Sequence, residues 1–212
     1  MKIKALVAIM LLALGCSTPV EEPAPPAPPS EPVVDPVTAF KEAKVRAEQG
    51  SAVDQENLGR LYLEGTGVEQ SDAEAAKWSR TSAEAGYAPA QRGFAVLLID
   101  GRGVIQDFAA AVEWLEKAAE QGDPVAQERL ASAYWRGIGT NRQDAKAYAW
   151  ASVAAANGLE SAAGLRDFIV KYLTPEEIVE VQELAAEYFE KYKTPVVEVE
   201  VPVAEVPSEG AE

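Results

Sequence analysis

The hydrophobic pattern of residues 37–192 follows helical spacing that is broken at regular intervals. Between residues 51 and 64, positions 54, 58, 61, 62 and 65 lie on one stripe at a spacing of about 3.6 residues, which predicts a first helix. Gly65 follows that helix. A second helix is predicted from about Asp72 to Ala85, and Gly86 closes it. The chain is therefore predicted to form pairs of helices separated by glycines.

This helix pair recurs with a fixed period. Gly50, Gly86, Gly122 and Gly158 are each separated by 36 residues. We call a set of residues 36 positions apart a column. Four further columns hold one residue type each: Gly65, Gly101 and Gly137; Gly67, Gly103 and Gly139; Trp78, Trp114 and Trp150; Gln55, Gln91 and Gln127. So many coincidences at one offset indicate three full repeats, 51–86, 87–122 and 123–158.

The ends of the repeated helices carry residues with a defined backbone role. Gly65 stands where a helix end needs a left-handed backbone, and Gly67 allows a second sharp turn. Asp107 and Asp144 lie near the starts of the later second helices, where a carboxylate can accept hydrogen bonds from free N–H groups. We therefore expect the helix bounds to recur in each repeat.

One repeat can be compared with a known family motif. Residues 54–68 read Asp-x-x-x-Leu-Gly-x-Leu-Tyr-x-x-Gly-x-Gly-Val, and Ala-x-x-Trp and Ala-x-x-Gly follow before residue 86 ends the unit. The motif resembles the Sel1-like repeat, a relative of the tetratricopeptide repeat, and the resemblance covers roughly residues 37–192. It implies an all-α, right-handed α-solenoid that scaffolds protein complexes, often in bacterial envelopes.

Both ends of the repeat array have the features of caps. Asp35 and Pro36 are predicted to start a helix that stands in for the second helix of an incomplete repeat. At the other end, residues 159–172 replace a first helix. Thr174 to Glu177 then match a capping box at the start of a last helix with one apolar stripe. The repeat region is therefore predicted to end at about residue 192.

The N-terminus has the pattern of a targeting signal. Lys2 and Lys4 precede an apolar run, 5–14, that is too short to span a bilayer, so residues 1–15 are predicted to be a signal peptide. Residues 12–16, Leu-Ala-Leu-Gly-Cys, resemble a bacterial lipobox, which implies lipid attachment to Cys16. Cleavage by an ordinary signal peptidase, followed by plain secretion, is the alternative. By analogy with lipoprotein sorting, Ser17 favours an outer-membrane lipoprotein facing the periplasm.

Two low-complexity segments flank the repeats. Residues 16–36 hold the predicted lipidated cysteine and eight prolines, which favour an extended polyproline spacer. The alternative is a proline-rich ligand for another domain. Residues 193–212 are rich in valine, proline and glutamate and are predicted to be a disordered acidic tail.

Composition excludes several kinds of chemistry. The 212 residues include 19 Lys+Arg, 34 Asp+Glu, no His and one Cys, and the net charge is −15. Without histidine, no Ser-His-Asp or Cys-His nucleophile can form, and no ordinary zinc site. The acidic charge argues against nucleic acid or an anionic lipid surface as a partner. We predict no enzymatic activity, no catalytic residue, no cofactor and no metal; the membrane is contacted only through the lipid.

The tryptophan column is predicted to be packing, because aromatic residues at one register of a repeat interlock its neighbours. The other side of the first helices is the candidate site, since the resemblance implies that it lines the concave surface where partners dock. We call these positions the first-helix face: Glu56, Arg60, Leu63, Arg92, Val96, Ile99, Glu128, Ser132 and Trp135. Leu63, Ile99 and Trp135 could instead pack against the adjoining repeat.

The resulting functional hypothesis is a lipid-anchored adaptor of the bacterial cell envelope. It would bind an envelope protein or peptide, not identified by the sequence, through the first-helix face. The alternative is an envelope-structural protein that binds peptidoglycan directly.

Overall fold

The computed structural model describes residues 35–192. The predicted signal peptide 1–15, Cys16, most of the linker 16–36 and the tail 193–212 lie outside the described residues. Between residues 35 and 192 the chain forms helices and no strand. The helices are α1 (Pro36–Glu48), α2 (Ala52–Glu64), α3 (Asp72–Glu84), α4 (Ala88–Asp100), α5 (Phe108–Glu120), α6 (Pro124–Arg136), α7 (Asp144–Ala156), α8 (Glu160–Val170) and α9 (Pro175–Tyr192).

The helices stack in chain order. The pairs α2–α3, α4–α5 and α6–α7 form three repeats, and the second helix of each repeat packs on the first helix of the next. Helix α1 precedes the array, and both α8 and α9 pack on α7. This nearest-neighbour stacking of helix pairs is an all-α solenoid, and it confirms the predicted fold class.

The core formed by residues 35–192 contains two clusters of buried side chains. The main cluster extends from α3 to α9, and a small N-terminal cluster contains Phe40, Ala47 and Leu58. On α2 the buried residues are Gln55, Leu58 and Gly59, whereas Asp54 is half-buried. Of the predicted stripe, Leu58 is buried and Leu61 and Tyr62 pack against the N-terminal cluster. Asp54 is not part of the buried set, because it lies in the first turn of α2, where its N–H donates a hydrogen bond to Ser51 Oγ.

The two glycines after each first helix have different structural roles. Gly101 has φ 66° and ends α4 in the left-handed conformation, as predicted for its column. Gly103 also has positive φ, and a Cβ there would overlap the carbonyl oxygen of Asp72 at the start of α3. Gly67 and Gly139 make the equivalent close approaches to Pro36 and Phe108. The second glycine is therefore needed where one repeat touches the preceding one.

A buried glutamine joins successive repeats. Gln55, Gln91 and Gln127 each donate a side-chain N–H to the carbonyl eight residues earlier, at 3.4, 3.2 and 3.0 Å. The amide oxygens of Gln91 and Gln127 accept hydrogen bonds from Gln121 and Asn157. The oxygen of Gln55 has no hydrogen-bond partner among residues 35–192, since the short Ala85 occupies the equivalent position there.

The predicted caps are present at both ends. Asp35 accepts a hydrogen bond from the Thr38 N–H, and Pro36 is the first residue of α1. Thr174 and Glu177 bond reciprocally, side chain to backbone, which confirms the capping box of α9.

The two aspartates predicted near helix starts behave differently. Asp107 caps α5 by accepting a hydrogen bond from Ala110 N–H. Asp144 does not cap α7, because it lies inside the helix at its first position and pairs with Arg142.

Candidate functional site

The first-helix face lies on three consecutive helices. Helix α2 carries Glu56, Arg60 and Leu63, helix α4 carries Arg92, Val96 and Ile99, and helix α6 carries Glu128, Ser132 and Trp135. Arg60 is exposed and the other eight residues are half-buried. Because the same three helical positions repeat, the side chains form a row across the array.

Three of these residues meet at one end of the row. Glu56, Arg60 and Arg92 line a cavity of about 370 Å³ between α2 and α4, together with Asn57, Tyr87 and Pro89. We call this the polar cavity. Glu56 and Arg92 occupy the same position in consecutive repeats, and Arg60 lies about one helical turn after Glu56. The structure places all three around one opening.

Glu56 points toward the interior of this cavity. A Cβ on Gly93 would lie 2.9 Å from its Oε1, so the glycine makes room for the carboxylate. Its Oε2 is buried and has no hydrogen-bond partner among the described residues. Burial raises the pKa of Glu56, and the Ser79 hydrogen bond and the charges of Arg92 and Arg60 partly oppose that rise. Burial therefore disfavours the charged form of the Glu56 carboxyl group.

The two arginines are held differently. Arg92 Nε donates to Asp123 Oδ2 at 3.0 Å, and Asp123 is the N-cap of α6, where its other oxygen accepts from Ala126 N–H. Arg92 thus joins α4 to the next repeat. Among residues 35–192, the one hydrogen bond of the Arg60 side chain is a long contact of 3.5 Å from Nη2 to Asn57 Oδ1. Arg60 is the cation of this cavity that a bound group can reach most readily.

The opposite end of the row is aromatic. Trp135 contacts Phe168 and Tyr172 of the C-terminal cap, with ring centroids 5.9 and 5.4 Å apart, and the Arg142 guanidinium lies 4.1 Å from its ring. Phe168 and Tyr172 remain exposed. The sequence analysis named Trp135 but not these two partners. They lie in the C-terminal cap, which lacks the 36-residue repeat by which the face residues were chosen.

Leu63, Ile99 and Trp135 also pack against the main core cluster. The packing alternative for these three side chains is thus visible in the structure, and each still leaves part of its surface accessible.

The tryptophan column is structural, as predicted. Trp150 is buried and contacts Tyr188 and Tyr192 of α9, with centroids 5.0 and 4.8 Å apart. Trp114 packs edge-on against Phe94 in the same repeat. Trp78 packs on the N-terminal cluster.

In residues 35–192 no group of three or more acidic or cysteine side chains is arranged to hold a metal ion. None of the helices within that range combines the length and apolar character needed to cross a bilayer.

Comparison with known proteins identifies the repeat. The family model described as Sel1 repeat matches residues 52–87, 88–123 and 124–159, one residue later than the repeats defined by the glycine columns. No curated protein matches the chain.

Two solved structures are similar to this chain. A protective antigen present in uropathogenic Escherichia coli strains, which displays an SLR fold, is 33% identical, with a TM-score of 0.68. The match covers 73% of this chain and 33% of the antigen, so this chain spans about a third of that protein. A Sel1 repeat protein from Oxalobacter formigenes is 39% identical over 61% of this chain and 97% of its own, with a TM-score of 0.57.

Proposed function

Because this chain belongs to the Sel1 repeat family, whose members generally mediate protein–protein interactions, we propose that it is a non-enzymatic adaptor of the bacterial cell envelope. A partner protein or peptide docks on the first-helix face, which corresponds to the concave, partner-binding side that the family resemblance implies. The repeats keep the packing columns constant while this face changes from repeat to repeat, which suits recognition of one particular partner.

The polar cavity is the observation that carries this proposal. It places an exposed guanidinium, Arg60, beside an anchored one, Arg92, around an opening of about 370 Å³. Arginines recognise carboxylates through paired, charge-assisted hydrogen bonds. The partner group that fits is therefore a carboxylate, supplied by an acidic side chain or a chain terminus, with Arg60 as its main contact.

Anchoring is supported by the N-terminal pattern. The basic residues, the short apolar run and the Leu-Ala-Leu-Gly-Cys sequence support lipidation of Cys16. Multiple acyl chains would hold the protein firmly on the outer membrane, facing the periplasm, while the proline-rich segment spaces the repeats from the lipid surface.

Direct binding to peptidoglycan is the second candidate function. The partly exposed cluster of Trp135, Phe168 and Tyr172 favours it, because exposed aromatic surface rimmed by polar groups marks interaction sites. In that case the aromatic end of the first-helix face, rather than the polar cavity, would carry the binding.

The test is crosslinking in cells followed by affinity capture of the full chain. Arg60→Glu reverses the exposed charge, and we expect it to reduce capture of the partner about tenfold, the effect of losing one good interface contact. Arg80→Glu on α3 is the matched control, because Arg80 is also exposed but lies on a second helix. It should capture the partner as the unchanged protein does. Arg92 is unsuitable for this test, since reversing it breaks a part-buried link between two repeats, whereas the Arg80–Glu84 pair is exposed and lies within one helix.

Three outcomes separate the possibilities. Equal capture by both variants would contradict docking at the polar cavity. Retention of the purified protein on protein-free sacculi, lost on Trp135→Ala, would favour the peptidoglycan function. A Cys16→Ala form should leave the membrane fraction, and continued membrane association would contradict the lipid anchor.

A further inference from the structure

An ion pair that joins two repeats is replaced by apolar residues one repeat later. Arg102, between the paired glycines, makes a bidentate ion pair with Asp72 at the start of α3. Its Nη2 donates to Oδ1 at 2.7 Å, and its Nε donates to Oδ2 at 3.3 Å. Moving both positions by 36 residues gives Ile138 and Phe108. The junction that is ionic between the first two repeats is therefore apolar between the second and third.

The replacement leaves apolar surface open to solvent. Phe108 and Ile138 are each 39% exposed. They line a cavity of about 200 Å³ between α5, α6 and the end of α4, whose other walls include Ile99, Val112 and Ala133. We call this the apolar groove. Since the ionic version of the junction satisfies the same fold without exposing these side chains, the groove suggests a binding role.

Two arginines border the apolar groove. Arg129 and Arg136 lie on α6, seven residues apart and hence on the same side of the helix, and both are exposed. Neither forms an ion pair within the part of the chain that the structure describes. In a protein with a net charge of −15, a groove bordered by two unpaired cations fits an occupant that is both apolar and acidic.

The chain itself contains a segment with that chemistry. Beyond Lys193 it has six valines, five glutamates and no basic residue, and valine alternates with glutamate from residue 197 to 201. In an extended chain, alternate side chains point to opposite sides. We propose that the apolar groove binds the chain's own C-terminal segment, residues 193–212, with valine side chains in the groove and glutamates beside Arg129 and Arg136.

The segment starts close enough to reach the groove. Helix α9 ends at Tyr192, whose carbonyl oxygen accepts a hydrogen bond from Gln127 Nε2 at 3.2 Å. Gln127 is on α6, which also forms a wall of the groove. A 13-residue helix is about 20 Å long, whereas 20 extended residues span up to about 66 Å. The segment can therefore pass around α6, and its attachment gives it a high effective concentration at the groove.

Binding of this segment would control access to part of the first-helix face. Ile99 and Ser132 belong both to that face and to the walls of the groove. A partner that uses these residues would have to displace the C-terminal segment, so the segment acts as an intramolecular competitor with acidic, valine-rich character.

The test is site-specific photocrosslinking in the full-length protein. A benzophenone amino acid replaces Val203, the protein is irradiated, and the crosslinked peptides are mapped by mass spectrometry. We expect crosslinks to residues 108–115 and 129–138 in a monomer-sized product whose yield does not depend on protein concentration.

Two variants and one control test the chemistry of the groove. Phe108→Asp with Ile138→Arg rebuilds the ion pair of the preceding junction, so the fold is retained while the apolar surface is lost. Arg129→Glu with Arg136→Glu reverses only exposed charges. Each pair should lower the crosslink yield about fivefold or more, equivalent to a loss of about 1 kcal/mol of binding. Val45→Arg with Val53→Asp changes two exposed valines at the far end of the array and should leave the yield unchanged.

Several results would overturn the proposal. Crosslinks scattered over the surface, or a yield unaffected by both groove variants, would remove the groove as the binding site. A dimer-sized product that increases with protein concentration would assign the groove to the C-terminal segment of a second copy. Crosslinks in cells to another protein, with none to the groove of the same chain, would assign the groove to that partner.

Discussion

At the scale of single residues, one column of the repeat holds side chains in different roles. Glu56, Arg92 and Glu128 occupy equivalent positions. Arg92 is ion-paired to the next repeat, whereas Glu56 is turned inward against Gly93. Asn57 and Arg129 stand at the positions equivalent to Gly93, so space for a buried carboxylate exists at one junction between repeats. The role of a column member therefore depends on the residue that faces it from the neighbouring helix.

The burial of Glu56 predicts a pH-dependent stability. Burial raises its folded-state pKa above the usual 4.5, so the native state holds the proton more tightly than the unfolded state does. Stability is therefore favoured at low pH and falls as pH rises from the unfolded pKa through the folded one. Glu56→Gln removes the cost of a buried charge, so we expect a higher melting temperature at about pH 7, with the gain disappearing below about pH 4.

Thermal unfolding followed by circular dichroism across this pH range checks the prediction. Glu128→Gln, the same change in the same column, is the control for a general effect of removing one negative charge. A gain that is equal at all pH values, or equal in both variants, would contradict a burial penalty at Glu56.

At the scale of the elements, the loops between first and second helices set how repeats stack. Each loop turns with one glycine and approaches the preceding repeat with the other. The buried glutamines then tie the end of each second helix to the next first helix. These contacts recur at the start of each of the three repeats, so helix pairs of different surface composition can share one stacking geometry.

The two glycines of one loop should differ in their tolerance of alanine. At Gly101 a Cβ would meet the Gln106 Cβ at an ordinary 3.4 Å, so Gly101→Ala costs only left-handed backbone strain, about 1–2 kcal/mol. At Gly103 the Cβ would also overlap the Asp72 carbonyl, so Gly103→Ala should cost about 3 kcal/mol or more. Urea unfolding of the two variants measures both losses, and equal losses would show that the close approach is not important.

At the scale of the whole molecule, the two ends of the array are attached to the core unequally. The N-terminal cluster holds Phe40, Ala47 and Leu58, with Trp78 packed against it. The C-terminal helix α9 instead joins the main cluster, where Tyr188 and Tyr192 lie against Trp150. Because a solenoid is stabilised by contacts between neighbours, the end with the smaller cluster should open first.

Native-state hydrogen exchange tests this asymmetry. We expect amides of α1 and α2 to exchange about tenfold faster than those of α5–α7. Amides of α9 should exchange at rates closer to those of the central helices, although α9 is also a terminal helix. Uniform protection along the array would mean that it unfolds as one cooperative unit. Faster exchange in α9 than in α1 would contradict the role assigned to the Trp150 contacts.

The helix pairs, their 36-residue period, the glycine at each first-helix end and the caps at Asp35 and Thr174 are all predictable from the amino-acid sequence. These features depend on residues within a few positions of one another or on comparison between repeats, and both are visible in a linear chain. The family resemblance rested on the same columns.

The identity of the side chains that face one another across a junction is visible only in the folded protein. The inward direction of Glu56, the Arg92–Asp123 pair and the exposed Phe108 and Ile138 all depend on a partner about 30 to 37 residues away in the next repeat. The sequence shows that Phe108 and Ile138 differ in chemistry from Asp72 and Arg102, the equivalent residues of the preceding junction. It does not show that these two positions lie close together in the fold. Helical periodicity specifies the side of a helix on which a residue lies, whereas the packing of neighbouring repeats specifies what lies opposite it.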